Sequence, residues 1–446
     1  MKATTDAGYV LVAPQDSTYT YLIDQATGAV VHSWKSAYTA GLTAVLTADG
    51  HLMRAGKVGD DHMLHGSGGV IEEYDWDGNL VWQYYDRGDH EFQHHDFTIL
   101  PNGDVLFIAS EVIPAEEAVA LGRDPSELRD GVLLADKLVE VKPVGASGGV
   151  VVWQWRAIDH IVQDRDPAKA NYGDVAAHPE RVDVNYQGRA LFPDGWTHIN
   201  AVDYDPATDR ILVSVRNYNE LWGIDHGTTT AEAAGPAGDL LWRFGNPQAY
   251  RAGDASDQVL FGQHDAKWID DGLPGAGDIL VFDNGVDCPR GQSSRVLEIA
   301  VPEAAASRPG LADRVGTVAW SYAAPTATDM FSSKMSGAQR LPDGDTLVTV
   351  GDTGQIFEVT PQGDTIWSYD TDLALLEGAT SRQEGAVFYA TWYAADDPAL
   401  AGRALDGEDP ALGALARLGA SGIVDALRLA RLSGRTAALP PALART

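Results

Sequence analysis

The sequence predicts an all-β fold, a six-bladed β-propeller, on three observations. First, Trp34, Trp82, Trp153, Trp242, Trp320 and Trp367 each close a similar phrase: a short apolar run, a turn with Gly or Asp, then apolar residues and Trp. Second, a hairpin phrase precedes five of them, in LTADGHL, LPNGDVL, DYDPATDRIL, IDDGLPGAGDIL and LPDGDTL. Two hairpins make four strands, and a recurrence of roughly 45–90 residues fits a propeller blade with insertions. Third, the two ends of the chain complement each other. The chain opens with three strands (GYVLVAP, YTYLID, AVVHSW) and supplies a fourth late, AVFYATWY around Phe388. Pairing the late strand with the first three completes the sixth blade and leaves no open edge.

Taken in order, the units ending at Trp82, Trp153, Trp242, Trp320 and Trp367 are blades 1 to 5, and the split unit with Trp34 is blade 6. Residues 8–394 are then one domain. Within blade 2, residues 112–135 carry helical spacing with a cap at Asp124 or Ser126 before Glu127, which predicts a helical insertion. After Ala394 the chain turns Ala-, Leu- and Arg-rich. Residues 395–446 read as a partly helical extension, with Ile423, Leu427 and Leu429 suggesting a short amphipathic helix.

Composition narrows the function classes. A net charge of −32 over 446 residues argues against binding nucleic acid or an anionic membrane through a broad basic face. No apolar run of membrane-spanning length occurs. The start, MKATTDAGYVLV, lacks the apolar core of a signal peptide, so the chain as written is expected in the cytoplasm; a periplasmic or secreted protein with its leader removed is the alternative. Cys288, the only cysteine, sits in the polar loop DNGVDCPRGQSS and reads as a free thiol. Oligomeric state is not encoded in any recognisable pattern.

Chemistry emerges when the repeats are superposed. Aligning blades 2 and 3 on Leu106 and Leu212 sets His94 on His198 and Asp96 on Asn200; aligning blade 4 on Leu280 sets His264 in the same slot. Blades 1 and 5 carry Ala40 and Met335 there. The first strand of each blade lines the central channel. Three imidazoles at one depth therefore converge, and Asp96 and Asn200, two residues on, share their side of the strand. A regular strand turns His95 the other way, behind the channel-lining groups or into blade packing. His62 and His65 form a weak His-x-x-His pair, and His160 and His226 read as loop hydrogen-bonding groups. Trp196, Tyr218, Trp222 and Trp268 are aromatic enough to stack a phenol ring or to pack blades.

At FQHHDFTILPNGDVLF, GWTHINAVDYD, SVRNYNELWGID and FGQHDAKW the chain resembles the arylsulfotransferase family of bacterial six-bladed propellers, over roughly residues 8–394 and with the motifs in order. The resemblance implies a PAPS-independent sulfotransferase, which moves a sulfuryl group from an aryl sulfate to a phenolic acceptor through a sulfated histidine. It implies that His264 in GQHD is the sulfated residue. It also implies that His94, His198, Asn200 and Arg216 surround the sulfuryl oxygens and assist proton transfer. A hydroxyl from blade 5 is expected as well, with Ser332, Ser333 and Ser336 as candidates. The ring is expected to start near residue 8, without the leader, separate N-terminal β domain and disulfide of periplasmic members. KANYGDVAAHPE and HGTTTAEAAG place the resemblance with a broad branch of the family.

The same residues admit other readings. Three neutral imidazoles are also a ligand set for Zn, Cu, Fe or Ni, so a tri-His metal site at His94, His198 and His264 is the alternative to a reaction without cofactor. Asp96 then orients a ligand or joins the set. That protein is a metal-dependent hydrolase, lyase or oxidoreductase. A non-catalytic binding propeller is a third reading. Under the first, the partners are small aromatic sulfates and phenols.

Overall fold

In the computed structural model, residues 8–405 are described apart from 60–65, 67, 89, 129–130, 187–194, 302–315 and 372–384. His62, His65 and the proposed helix around Ile423 lie outside the described residues.

Six four-stranded antiparallel sheets form the molecule, alongside one short parallel ladder of Ile161–Val162 with Val182–Asp183. Their innermost strands are Ala40–Leu46 (blade 1), Glu91–Ile99 (blade 2), Ile199–Asp205 (blade 3), His264–Trp268 (blade 4), Gly337–Arg340 (blade 5) and Val387–Ala394 (blade 6). Each touches the next, and the last touches the first, so the six close a ring. Blade 6 is composite: Val387–Ala394 pairs with Gly8–Pro14, which continues to Tyr19–Asp24 and Val30–Lys35.

Burial grades outward. The inner strand of blade 2 is almost wholly buried, while the outer strand Gly149–Arg156 exposes its first four residues. The repeated tryptophans sit on the outer strands, and their indole N–H groups explain the recurrence. Trp34 donates to Asp75 O, Trp82 to Gly148 O, Trp153 to Thr228 Oγ1, Trp320 to Pro361 O and Trp367 to Gln25 O. Each acceptor belongs to the next blade. A large ring that buries apolar area and still reaches a neighbouring acceptor suits this position. Trp242 instead packs on Gly223, where a Cβ would come within 2.1 Å of its Nε1.

The insertion in blade 2 is shorter than its sequence pattern predicts. Strand Val105–Pro114 runs on before helix Ala115–Ala120, and Asp124 caps the single turn Pro125–Glu127 by accepting from Ser126 N–H. No helix among the described residues is long and apolar enough to cross a membrane.

Candidate active site

His264 opens the inner strand of blade 4 and is buried. Its Nδ1 lies 2.7 Å from Asn284 Oδ1 and 3.1 Å from Gly262 O. Asn284 cannot be turned round, because its Nδ2 donates to Ser332 O at 3.0 Å and Met335 O at 3.1 Å. Nδ1 therefore faces two acceptors and must carry the proton. Nε2 keeps its lone pair. Burial first, then the Arg216 guanidinium, pushes the His264 pKa down to about 3, against the pull of Asn284. The ring is neutral throughout the neutral range.

Arg216 begins the single turn Arg216–Tyr218 after strand Arg210–Val215, and its N–H donates to His198 O at 3.1 Å. Buried to 2 % exposure, its guanidinium acts on His95, His198 and His264 together. His95 and His198 are both held well below the ordinary imidazole value, by burial first and by the surrounding cations after it. The cluster is thus three neutral rings around one fixed positive charge, a setting that favours an anion and leaves imidazole nitrogens available as bases.

His95 is the member that strand alternation misassigns. The expectation that it turns away fails because the strand is not regular: between the pairs Gln93–Ala109 and Phe97–Phe107, four steps on one strand face two on the other. Inside this bulge His95 takes φ 53°, as His198 does in blade 3. The turn brings the His95 ring edge-on to His198, with centroids 4.8 Å apart. Gly66 packs on the same ring; at φ 85°, a Cβ there would lie 2.3 Å from His95 Cε1.

His94 consequently sits one step behind. Its Nδ1 is 2.7 Å from His95 Nδ1 and its Nε2 is 3.2 Å from Asp136 Oδ1. Asp136 is buried and also accepts from Ser110 Oγ, Thr197 Oγ1 and Ile199 N–H. Burial opposes ionisation of Asp136, but the hydrogen bonds from His94, Thr197 and Ile199 prevail and hold its carboxyl below the usual value.

Asp96 and Asn200 lie in the same strands and serve the ring itself. Asp96 accepts from Thr43 Oγ1 at 2.6 Å, Val202 N–H at 3.1 Å and Tyr389 O–H at 3.3 Å, tying blades 1, 3 and 6 to blade 2. Asn200 Nδ2 donates to Gln263 O at 2.8 Å, beside His264. The candidate hydroxyls of blade 5 are engaged within their own blade: Ser332 Oγ donates to Lys334 O, Ser333 Oγ to Asp352, and Ser336 Oγ accepts from Gly351 N–H. His160 pairs with Asp239 and stacks on Trp155; His226 bridges Asp209 and Glu140. Trp196, Tyr218 and Trp222 are buried by mutual packing, and Trp268 lines a cavity described below. Cys288 is free and half-buried.

The ligand set His94, His198 and His264 fits a metal poorly. Both ring nitrogens of His94 are committed, to His95 and Asp136, and Arg216 adds a fixed positive charge. Among the described residues, the one group of three whose ligand atoms lie within 4.8 Å of one another is Asp343, Asp345 and Glu358 in blade 5.

Beyond the histidines, the channel-lining strands continue to a cavity of about 180 Å³ whose lining includes Asp203, Asp265, Lys267, Trp268, Asp270 and Tyr389. Lys267 Nζ lies 2.9 Å from Asp265 Oδ1 and 3.5 Å from the Tyr389 ring centroid.

A family model described as Arylsulfotransferase (ASST) matches residues 4–372. No curated protein matches the sequence. Among solved structures, a protein of unknown function from Bacteroides caccae is similar at TM-score 0.47 and 10% identity, over 86% of this chain and 98% of that one. A protein from Lactobacillus plantarum is similar at TM-score 0.43 and 13% identity, over 82% and 83%. A catalytically inactive virginiamycin B lyase from Staphylococcus aureus with quinupristin is similar at TM-score 0.40 and 9% identity, over 83% and 86%. All three fall below a TM-score of 0.5.

Proposed function

The chain belongs to the arylsulfotransferase family, an enzyme family of sulfotransferase type, and from that premise we propose sulfuryl transfer from an aryl sulfate to a phenol, with His264 as the covalent carrier. The observation that carries the reading is the tautomer of His264: Nδ1–H is fixed on Asn284 Oδ1 and Gly262 O, so Nε2 is a permanent lone pair beside Arg216.

In the first half-reaction the Nε2 lone pair attacks sulfur, the S–O bond to the aryl group breaks, and the phenolate leaves with the electron pair. The product is a sulfated ring that is formally cationic, since Nδ1 keeps its proton on Asn284; that charge makes it a good leaving group. In the second half an acceptor phenol attacks sulfur and the N–S pair returns to Nε2. Arg216 neutralises charge on the three sulfuryl oxygens in both steps, much as cations do in phosphoryl transfer. His95 and His198 are the bases near the acceptor. A proton that His95 takes from the acceptor phenol in one turnover is returned to the leaving phenolate in the next, so the cycle balances.

Incubation with 4-nitrophenyl sulfate, without acceptor, is expected to release one equivalent of 4-nitrophenol per protein and to add one sulfuryl mass to the peptide containing His264. A protein that gains no such mass, with any accompanying phenol release continuing as hydrolysis, overturns the reading.

A further inference from the structure

We infer that Asp136 and His94 form a buried relay that fixes His95 as a proton acceptor at Nε2, making both positioning residues for the acceptor half-reaction. The inference rests on the sulfuryl-transfer reading for its kinetic consequence, though the relay itself is a property of the resting protein.

With His94 neutral, the chain of hydrogen bonds has one consistent assignment. Asp136 Oδ1 is an acceptor, so His94 Nε2 at 3.2 Å donates to it. A neutral His94 then has a lone pair at Nδ1, and His95 Nδ1, 2.7 Å away, must supply the proton between them. With Nδ1 protonated and the ring neutral, His95 Nε2 is bare. The groups around His95 are His94, His198, His264 and Arg216. Arg216 is the cation among them, and among the described residues the carboxylate His95 reaches through hydrogen bonds is Asp136. When His95 Nε2 takes the phenol proton, the positive charge that forms is stabilised through His94 by that carboxylate. A buried carboxylate stabilises a catalytic imidazolium in this manner in hydrolytic triads, where it also fixes the tautomer.

The surroundings of Asp136 make a clean test available. Its Oδ2 receives the Ile199 N–H at 2.7 Å and the Thr197 hydroxyl at 2.6 Å, and a backbone N–H can only donate. In Asp136→Asn the side-chain oxygen must therefore stay on Ile199, which turns the NH₂ group to His94 Nε2 and to Ser110, whose hydroxyl can accept. His94 Nε2 then becomes an acceptor, its Nδ1 carries the proton, His95 Nδ1 accepts it, and His95 Nε2 becomes N–H. The relay reverses with no change of shape.

Asp136→Asn is expected to acquire sulfate from 4-nitrophenyl sulfate, whose phenolate leaves without a proton. Turnover to phenol, which must lose a proton, falls about 10²- to 10⁴-fold. Exchange of isotopically labelled 4-nitrophenol into 4-nitrophenyl sulfate, with an acceptor largely ionised at neutral pH, falls far less. Equal losses for both acceptors reduce Asp136 to a structural role and overturn the inference, as does wild-type turnover with phenol. Nitrogen-15 NMR of imidazole groups in the wild-type protein tests the relay without turnover: His95 is expected to show protonated Nδ1 and unprotonated Nε2, and the reverse tautomer refutes it. If the wild type never becomes sulfated, the functional reading fails while this spectrum still decides the relay.

Discussion

His264 and Lys267 are three residues apart on one inner strand, and their surroundings drive proton affinity in opposite directions. His264 is pushed down to about 3 by burial and Arg216, whereas Lys267 is held well above its usual value by Asp265, Tyr389 and Asp96 despite its burial. At the Lys267 end the cation is held by Asp265 and the Tyr389 ring, contacts that join blades 4 and 6. At the His264 end Arg216 meets neutral rings. The histidine end is organised to receive an anion. The lysine end is organised to hold the ring together. Substitutions at the first are expected to change rate with little change in stability; at the second, the reverse.

The largest expected effect is at the carrier. His264→Asn keeps a polar side chain of similar size but has no ring nitrogen to sulfate, so transfer is expected to fall roughly 10⁴- to 10⁶-fold, the range seen when a covalent nucleophile is removed. No sulfuryl mass should appear on the protein, and the thermal midpoint should stay near wild type. A His264→Asn protein that still transfers sulfate would break the contrast at its centre.

Arg216→Ala comes next. Losing one preorganised electrostatic contact costs about 2.7–4 kcal/mol, or roughly 10²- to 10³-fold in kcat. The same change removes a cation that lowers His198 and His264. Both imidazoles then rise towards their ordinary value, so the acid limb of the pH–rate profile, where the carrier is protonated and inactive, moves to higher pH. A variant with the wild-type limb shows that burial alone sets these bases.

How far the sequence discloses this contrast depends on what each feature is made of. Blades are marked by side chains, because an indole must reach the neighbouring blade at every repeat; Trp34, Trp82, Trp153, Trp320 and Trp367 are legible for that reason. The repeat alignment sets His94, His198 and His264 in one slot, and the family resemblance adds Arg216. His95 escapes it because a bulge is a backbone event, and the two-residue alternation that sends His95 outward does not hold across it. Asn284 follows strand Ile279–Asp283 and Asp136 lies within strand Val132–Pro143, both outside the aligned slot, and only the folded ring sets them on His264 and His94. The doublet His94-His95 was the available signal, readable only as an ambiguity about which ring faces the channel.

At the opposite end, Lys267→Met is expected to reverse the pattern. It leaves Asp265, 3 % exposed in its side chain, without its cation, and removes the contact with the Tyr389 ring. Because Lys267 is itself about a third exposed, the cost should be about 1–3 kcal/mol, that of a buried polar group losing its partner, seen as a lower midpoint in denaturant. Adduct formation should be unchanged. A large fall in kcat with unchanged stability would assign Lys267 to the chemistry and erase the division between the two ends.

The finest test is Asp203, which lines the same cavity as Lys267 and accepts the Trp268 N–H at 2.8 Å. Burial pushes its carboxyl up from 3.8 to about 7, against the pull of the Trp268 N–H and Lys267. With the folded value above the unfolded one, the native state binds the extra proton between about pH 4 and pH 7. The associated stability is complete below the unfolded value and is lost as pH rises through the folded value. Asp86 and Glu358 are also raised to about 7 by burial and act in the same direction. Wild-type stability should therefore decline across that window. Asp203→Asn retains a carbonyl for Trp268 and cannot titrate, so it should remove one proton's share, at most about 1.4 kcal/mol per pH unit. The variant should gain on wild type from about pH 5 to about pH 8 in urea denaturation. An equal difference between the two proteins at both pH values would mean that Asp203 titrates normally, that the cavity is wetter than its lining suggests, and that the lysine end is less sealed than the histidine end.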